Sequence, residues 1–199
     1  MKVGFIGLGT MGASIALNAI KGQNSLIVHD INRDAAGPHI EIGAEWATSP
    51  KEVAAQSEVV FTSLPGPPEV ESVVLGEEGL AAGFSKGSAF FDLSTNSPTV
   101  MRRLHAAMQE RGVEVMDAPV SGGPDGAKSG KMAIWVGGDK ATFDKFKPVL
   151  DTMGDAARYI GPIGAGSIAK LVHNLSGYIM GAALAETFSM GVKAGLEPD

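Results

Sequence analysis

Residues 2–12 read KVGFIGLGTMG, and this stretch decides the fold class of the chain. It opens with an apolar, β-prone run over residues 3–6 and breaks into Gly7, Gly9 and Gly12, spaced as G-x-G-x-x-G. From Met11 onward the apolar spacing becomes helical. A strand, a glycine turn and a helix in this order are typical of a dinucleotide-binding βα unit.

Each glycine of this motif has a separate predicted role. Gly7 allows the tight turn, Gly9 lets a pyrophosphate approach the backbone, and Gly12 lets the helix close on the strand. The free N–H groups and the positive dipole end of the helix would then face the phosphates. Glycine-rich turns are common, however, so a plain βα turn remains the alternative to a nucleotide site.

An acidic residue follows the second predicted strand, residues 26–29. This residue is Asp30, which lies 18 positions after Gly12, close to the spacing of the acid that accepts the ribose hydroxyls of NAD. Arg33 lies just beyond and could hold the 2′-phosphate of NADP, but a carboxylate at Asp30 would repel that phosphate. The sequence therefore favours NAD and leaves NADP open.

Strands continue to alternate with helices along the chain. Residues 44–47 could form a short strand, and further β-prone runs cover residues 59–63, 89–93, 113–117, 132–136 and 158–160. This alternation predicts an α/β fold with a Rossmann-type, doubly wound, mostly parallel sheet that helices cover on both faces. Loops at the carboxyl ends of such strands line the ligand crevice, so Leu64 and Pro65 could pack on a cofactor. A rigid turn is an equally good interpretation of those two residues.

The composition excludes several classes of function. A net charge of −6 provides no basic surface for nucleic acid. The chain has no cysteine, so it has no disulfides or thiolate metal sites, and its scattered histidines predict no metal cluster. We find no membrane-spanning apolar run and no signal peptide ahead of the first strand, and we expect a cytoplasmic protein.

The pattern changes after residue 163. Residues 167–193 contain no strand signal, and apolar residues recur at helical spacing, which predicts a helix about 40 Å long with one apolar stripe. The stripe consists of Ile168, Leu171, Val172, Leu175, Ile179 and Ala182. We therefore expect a dinucleotide-binding domain over residues 1–163, and a long helix with the truncated start of an all-α domain over residues 164–199.

Two further groups are ambiguous by spacing alone. Lys170 and Asn174 share one face of the long helix, although a lysine on such a helix is usually a solvated surface charge. Ser121, Gly122 and Gly123 could form an anion-binding nest, although a flexible turn is the simpler interpretation.

Four motifs together resemble the β-hydroxyacid dehydrogenase family, which includes 3-hydroxyisobutyrate dehydrogenase, tartronate semialdehyde reductase and 6-phosphogluconate dehydrogenase. They cover essentially the whole chain, and they are GFIGLGTMG over residues 4–12, DAPVSGG over residues 117–123, the spacing G-x-x-G-x-G-x-x-x-K-x-x-x-N over residues 161–174, and residues 185–196. The resemblance reverses the simpler interpretations of Lys170 and of the Ser121 loop.

The resemblance implies a role for each matching residue. It implies that Lys170 is the catalytic acid/base, that Asn174 orients the substrate, and that Ser121, Gly122 and Gly123 bind a substrate carboxylate. The residues that it implies for the cofactor are Gly7, Gly9, Thr10, Met11, Gly12, Asp30, Leu64, Pro65 and Thr95. A lysine in a dry cleft beside a charged nicotinamide should have a lowered pKa, which suits proton transfer near neutral pH.

The expected function is hydride transfer between NAD and a small, carboxylate-bearing 3-hydroxy acid. Family members continue into a helical domain that closes the site and commonly mediates dimers, so a second copy of the chain is an expected partner. A non-catalytic dinucleotide-binding and oligomerising module is one alternative. An imine reductase of the same superfamily is another, although those enzymes usually lack the lysine.

Overall fold

A nine-stranded sheet runs through the protein, which we describe over residues 1–197 from a computed structural model. The strands are β1 (Lys2–Ile6), β2 (Ser25–His29), β3 (Glu45–Trp46), β4 (Val59–Thr62), β5 (Ala89–Asp92), β6 (Glu114–Asp117), β7 (Val120–Ser121), β8 (Ala133–Gly137) and β9 (Ala156–Gly161). Each predicted strand is present. The structure adds β7, which is only two residues long and therefore too short to show a strand pattern in the sequence.

Ten helical segments surround the sheet in the described residues. They are α1 (Gly12–Lys21), a 3₁₀ turn (Arg33–Ala36), α2 (Gly37–Glu41), α3 (Pro50–Ala55), α4 (Pro67–Leu75), α5 (Leu80–Gly83), α6 (Pro98–Gln109), α7 (Gly123–Ser129), α8 (Lys140–Met153) and α9 (Ala165–Lys193). The sequence pattern missed α5 and α7, because both are short and rich in glycine or alanine.

The sheet has the predicted doubly wound, mostly parallel character. Its order begins β3-β2-β1-β4-β5-β6, and every neighbouring pair in this part is parallel. Strand β8 is antiparallel to β6 and to β7, and β9 is parallel to β8. The reversal follows from the short connection between β7 and β8, which holds only the seven-residue α7, whereas parallel neighbours need a longer crossover.

Consecutive residues of the central strands alternate between two cores. Phe5, Phe61 and Phe91 belong to the cluster on one face of the sheet, and Ile6 and Phe90 belong to the cluster on the other. Both sets are essentially inaccessible to solvent. The central strands therefore read as continuous apolar runs because each face of the sheet is covered by helices.

The sequence predicts a helix cap at Ser49, where Glu52 would complete a capping box, and another at Ser97. The structure differs in detail from both predictions. Ser49 does cap α3, since its Oγ accepts from the Glu52 N–H at 3.2 Å, but the Glu52 carboxylate accepts from the Thr48 N–H at 2.6 Å. The reciprocal capping box is therefore wrong. The predicted cap at Ser97 is also wrong, because its side chain makes no capping bond to α6. Instead, the Asn96 Oδ1 accepts from the Ser97 N–H.

Helix α9 extends over 29 residues, close to the predicted length. The predicted apolar stripe lies along one side of α9, and Met180, Leu184 and Phe188 form a second apolar row, which the prediction did not include, on another side. Both rows are exposed; Ile168 retains 45% of its accessible surface and Leu184 retains 57%. Within residues 1–197, no helix is sufficiently long and apolar to cross a membrane. The sequence of residues 195–199 predicts a helix stop followed by the start of another helix, and this start extends outside the described residues.

Candidate active site

A cleft of about 920 Å³ opens at the carboxyl ends of β1, β2 and β4. Because these strands are parallel, the loops that follow them meet at one edge of the sheet. The cleft is lined by eight of the predicted cofactor residues, namely Gly7, Gly9, Thr10, Met11, Gly12, Asp30, Leu64 and Pro65. Its volume lies at the upper end of the range for ligand-binding clefts.

The glycine loop has the geometry that a pyrophosphate cradle requires. Gly7 has φ +93°, and a side chain on Gly12 would overlap the Gly7 carbonyl oxygen. No atom lies within 4 Å of the place that a Gly9 side chain would take. The backbone at Gly9 thus faces open space beside the first turn of α1, where no side chain caps the helix. The cradle that a dinucleotide needs is present in these residues.

Asp30 fixes the glycine loop to the end of β2. Its Oδ2 accepts from the Leu8 N–H at 2.6 Å, and its Oδ1 accepts from the Asn32 N–H at 2.8 Å. Each carboxylate oxygen can accept another hydrogen bond, so the half-buried Asp30 remains able to bind ribose hydroxyls.

The cleft is acidic. Four carboxylates line it, those of Asp30, Glu69, Glu77 and Glu78, and no arginine or lysine is found among the described lining residues. Arg33 is exposed on the 3₁₀ turn and does not line the cleft. Glu78 forms an ion pair with Lys51 at 3.1 Å. Asp30, at the end of β2, is the carboxylate that a phosphate on the adenosine ribose would approach.

A buried network joins the loops that follow β4 and β5. Asp92 is 1% exposed, and it accepts from the Thr62 hydroxyl at 2.8 Å and from the Asn96 amide at 2.8 Å. Burial raises the pKa of the Asp92 carboxyl, against the opposing effect of these hydrogen bonds. The Ser94 Oγ accepts from the Leu64 N–H at 2.9 Å, which ties the two loops together. Thr95 is exposed beside this network but does not line the cleft.

The predicted substrate loop lies farther along the same sheet. Ser121 ends β7, Gly122 precedes α7 with φ +142°, and Gly123 begins α7 with φ +63°. These residues form the end of a strand and the start of a helix, so they are part of regular secondary structure and not a flexible turn. Ser121 pairs with Ala133, and it shares a sheet face with Trp135, two residues along β8.

Lys170 is only half-exposed, unlike an ordinary surface lysine. Its Nζ lies 5.9 Å from the centroid of the Trp135 ring, and the His173 ring centroid lies 5.1 Å from that of Trp135. Burial lowers the pKa of Lys170. Asn174 is half-buried one turn farther along α9. The lysine cluster, comprising Lys170, Trp135, His173 and Asn174, does not line the dinucleotide cleft.

Sequence reasoning missed three residues of this region. Ile31 lines the cleft and is fully exposed. Asp92 and Asp117 are buried carboxylates at the ends of adjacent strands, and they are direct partners in the β5–β6 register. The available signal for both was an aspartate that directly follows buried apolar residues at the end of a strand, Phe91 before Asp92 and Met116 before Asp117.

The sequence of residues 2–161 matches the family described as the NAD binding domain of 6-phosphogluconate dehydrogenase. The chain is 37% identical over its whole length to 2-(hydroxymethyl)glutarate dehydrogenase of Eubacterium barkeri, of which it covers 66%. This chain belongs to the β-hydroxyacid dehydrogenase family. It therefore carries an NAD(P)-binding domain, and its predicted Rossmann-type fold is confirmed.

Other members of the β-hydroxyacid dehydrogenase family agree with this assignment. NAD-dependent L-serine dehydrogenase of Pseudomonas aeruginosa is 38% identical over 98% of this chain, which spans 66% of that protein. The structure of Mycobacterium tuberculosis 3-hydroxyisobutyrate dehydrogenase with L-serine is 33% identical and superposes with a TM-score of 0.92, covering 99% of this chain and 67% of that chain. The chain thus spans about two thirds of the length of the relatives it matches.

Proposed function

We propose that this chain is the dinucleotide-binding and lysine-bearing part of an NAD-dependent dehydrogenase that acts on a small 3-hydroxy acid. Family membership and the glycine cradle support the cofactor class. The observation that carries the proposal is the half-buried position of Lys170. This lysine lies against Trp135, on the helix that follows the dinucleotide-binding fold.

In this proposal Lys170 exchanges the proton of the substrate hydroxyl. The nicotinamide, when bound, accepts or donates the hydride. In the oxidising direction the neutral amine of Lys170 removes the hydroxyl proton, and in the reducing direction its ammonium returns a proton to the carbonyl oxygen. Burial lowers the pKa of Lys170 and so makes the neutral amine available nearer to neutral pH.

We assign substrate binding to the groups around this lysine. Asn174 lies one turn beyond Lys170 and would orient the substrate through its amide. Ser121, Gly122 and Gly123 would bind the substrate carboxylate, which is supported by the strand pairing that puts Ser121 on the sheet face of Trp135. L-serine and 3-hydroxyisobutyrate, which occur in the names of relatives, are the first compounds to test.

We propose a preference for NAD over NADP. The Gly7–Gly12 loop would hold the pyrophosphate, with Thr10 and Met11 at the start of α1 and with Leu64, Pro65 and Thr95 toward the nicotinamide. The acidic lining of the cleft supports the preference, because a 2′-phosphate would lie among carboxylates without a compensating cation from the described lining residues.

The exposed helix α9 supports the expected domain division and a partner. Both of its apolar rows would be covered if residues from 164 onward began a helical domain and if another copy of the chain packed beside it. We therefore propose a homo-oligomer. The cytoplasmic location expected from the sequence stays a prediction.

The proposal is tested by NADH formation from NAD with a panel of 3-hydroxy acids, using wild type, Lys170→Ala and Lys193→Ala. We expect Lys170→Ala to abolish turnover while it retains NADH binding, because the lysine cluster lies outside the dinucleotide cleft. Lys193→Ala is the matched control, since Lys193 is an exposed lysine at the other end of α9.

Unchanged turnover in Lys170→Ala would contradict the assignment of Lys170 as the catalytic acid/base. A wild-type chain that binds NADH but oxidises none of the hydroxy acids would instead favour a dinucleotide-binding and oligomerising module. Reduction of a cyclic imine by that same chain would favour an imine reductase.

A further inference from the structure

A buried carboxylate holds the first turn of the helix that carries Lys170. Asp117 ends β6 and is 1% exposed. Its Oδ1 accepts from the Gly164 N–H at 2.7 Å, and its Oδ2 accepts from the Ser167 N–H at 2.5 Å. Both oxygens are thus engaged by the start of α9, where free N–H groups and the helix dipole favour a negative charge.

The backbone of α9 approaches β6 and β8 closely at the same point. A side chain on Gly166 would overlap the Trp135 carbonyl oxygen and lie 2.8 Å from that of Asp117. A side chain on Gly137, across the β6–β8 pairing, would lie 2.5 Å from the Asp117 Oδ1. The start of α9 therefore has little room to shift while this contact is intact.

Asp117 also begins the predicted substrate loop. The chain passes from Asp117 through residues 118–119 to Ser121, and the Pro119 carbonyl accepts from the Trp135 N–H at 3.1 Å. Lys170 follows Ser167 by three residues, which is less than one helical turn. One carboxylate therefore connects the loop that would bind the substrate to the turn of α9 from which Lys170 projects.

We propose that Asp117 is the positioning residue that sets Lys170 against the substrate loop; this inference rests on the proposed role of Lys170. Asp117 acts through backbone amides and touches neither the cofactor nor the reacting atoms. Asp92 is the direct partner of Asp117 in the β5–β6 register. It lies beside the dinucleotide cleft, where its hydrogen bonds hold the loop that contains Leu64 and the loop that contains Thr95.

The test compares Asp117→Asn with Asp92→Asn, two isosteric changes at paired buried carboxylates. Asparagine retains one acceptor oxygen, and its NH₂ group would face an amide N–H of α9 in Asp117→Asn. We expect kcat for hydroxy-acid oxidation to fall about 100-fold in Asp117→Asn, as for an ångström-scale misplacement of a reacting group. We expect its NADH dissociation constant to stay within about twofold of wild type. In Asp92→Asn the NADH dissociation constant should rise instead.

Two readouts follow the position of α9 without requiring turnover. Amide hydrogen exchange in residues 164–170 should accelerate in Asp117→Asn and remain at the wild-type rate in Asp92→Asn. Acylation of Lys170 by an amine-directed reagent, quantified by mass spectrometry, should change rate in Asp117→Asn alone, because its burial against Trp135 depends on the start of α9. These readouts still decide the inference if the proposed dehydrogenase activity is wrong.

A second variant keeps the test informative if Asp117→Asn does not fold. Ser167→Pro removes the N–H that donates to Oδ2, and proline is tolerated in the first turn of a helix. It should reproduce the loss of kcat and the altered acylation of Lys170. Wild-type kcat and wild-type acylation in either folded variant would overturn the proposal. An equal loss of NADH binding and kcat in both aspartate variants would also overturn it, because it would indicate a general structural role.

Discussion

Replacing Asp30 with asparagine should shift the preference for NADH over NADPH. In wild type, Asp30 accepts from Leu8 N–H at 2.6 Å and lines the cleft with three glutamates. Asparagine keeps the shape of the side chain but removes its charge. It therefore weakens the anchor of the glycine loop and the acceptor for ribose hydroxyls, and it removes one source of repulsion toward a 2′-phosphate.

The two effects act on the two cofactors in different ways. A hydrogen bond to a charged group contributes about 1.5–3 kcal/mol. We take the lower limit because Asp30 is half-buried. The loss of this bond should therefore weaken NADH binding about tenfold. A phosphate about 4 Å from a carboxylate is repelled by about 1 kcal/mol per unit charge in a water-like dielectric, so NADPH recovers about 1–2 kcal/mol. The two effects multiply, so the ratio of the two dissociation constants should change about 50- to 300-fold toward NADPH.

Fluorescence titration of NADH and NADPH into wild type, Asp30→Asn and Asp34→Asn measures this ratio. Asp34 is the control, since it is an exposed carboxylate four residues away that does not line the cleft. Asp34→Asn should leave the ratio near wild type. Tighter binding of NADPH than NADH by wild type, or an unchanged ratio in Asp30→Asn, would refute the reasoning.

Three further predictions concern stability. Asp139→Ala should lower the unfolding free energy measured in urea by about 1 kcal/mol, because the Asp139 Oδ2 accepts from the Thr142 N–H at the start of α8. Ser97→Ala, which removes no such cap, should lower it by less than about 0.5 kcal/mol. Equal losses in the two variants would contradict the cap assignments. Gly12→Ala should lower the unfolding free energy by about 1–3 kcal/mol and weaken NADH binding, because the new Cβ would overlap the Gly7 carbonyl oxygen. An unchanged melting temperature and an unchanged NADH affinity would contradict that overlap. Burial raises the pKa of Asp92 above its ordinary 3.8, so the folded state binds this proton more tightly, and the contribution of Asp92 to the unfolding free energy should fall as pH rises from below 3.8 through the raised value. Urea titrations measure this contribution as the difference in unfolding free energy between wild type and Asp92→Asn, and a difference that stays constant over this range would contradict the prediction.

The fold could be predicted from the sequence because its main signals are local. The glycine motif, the apolar strands and the acid at position 30 each occupy a few consecutive residues, and they place β1, α1 and β2 within a residue or two of their observed bounds. The direction of β8 and β9 could not be predicted in the same way. It depends on how far the chain travels between β7 and β8, and the short helix in that connection gave no apolar periodicity.

The candidate site shows the same division between local and non-local information. The cleft residues predicted from the glycine motif and from the strand ends lie together, whereas Thr95, which only the family resemblance implied, does not line the cleft. The partners of Asp117 could not be predicted, because its hydrogen bonds reach 47 and 50 residues along the chain. The second apolar row on α9 could be read from the sequence, because Met180, Leu184 and Phe188 are four residues apart. That both rows are exposed is known only from the structure.

The pH dependence of turnover in both directions tests the role of Lys170 most directly. His173 is the titratable side chain of the lysine cluster besides Lys170, with its ring centroid 5.1 Å from that of Trp135, so His173→Gln serves as the control. We predict that kcat for oxidation rises and kcat for reduction falls as pH increases, each through a pKa below the ordinary lysine value of 10.5 because Lys170 is partly buried. These opposite pH dependences should persist in His173→Gln. Profiles that change in the same direction, or pH dependences that disappear with His173, would contradict the assignment of proton transfer to Lys170.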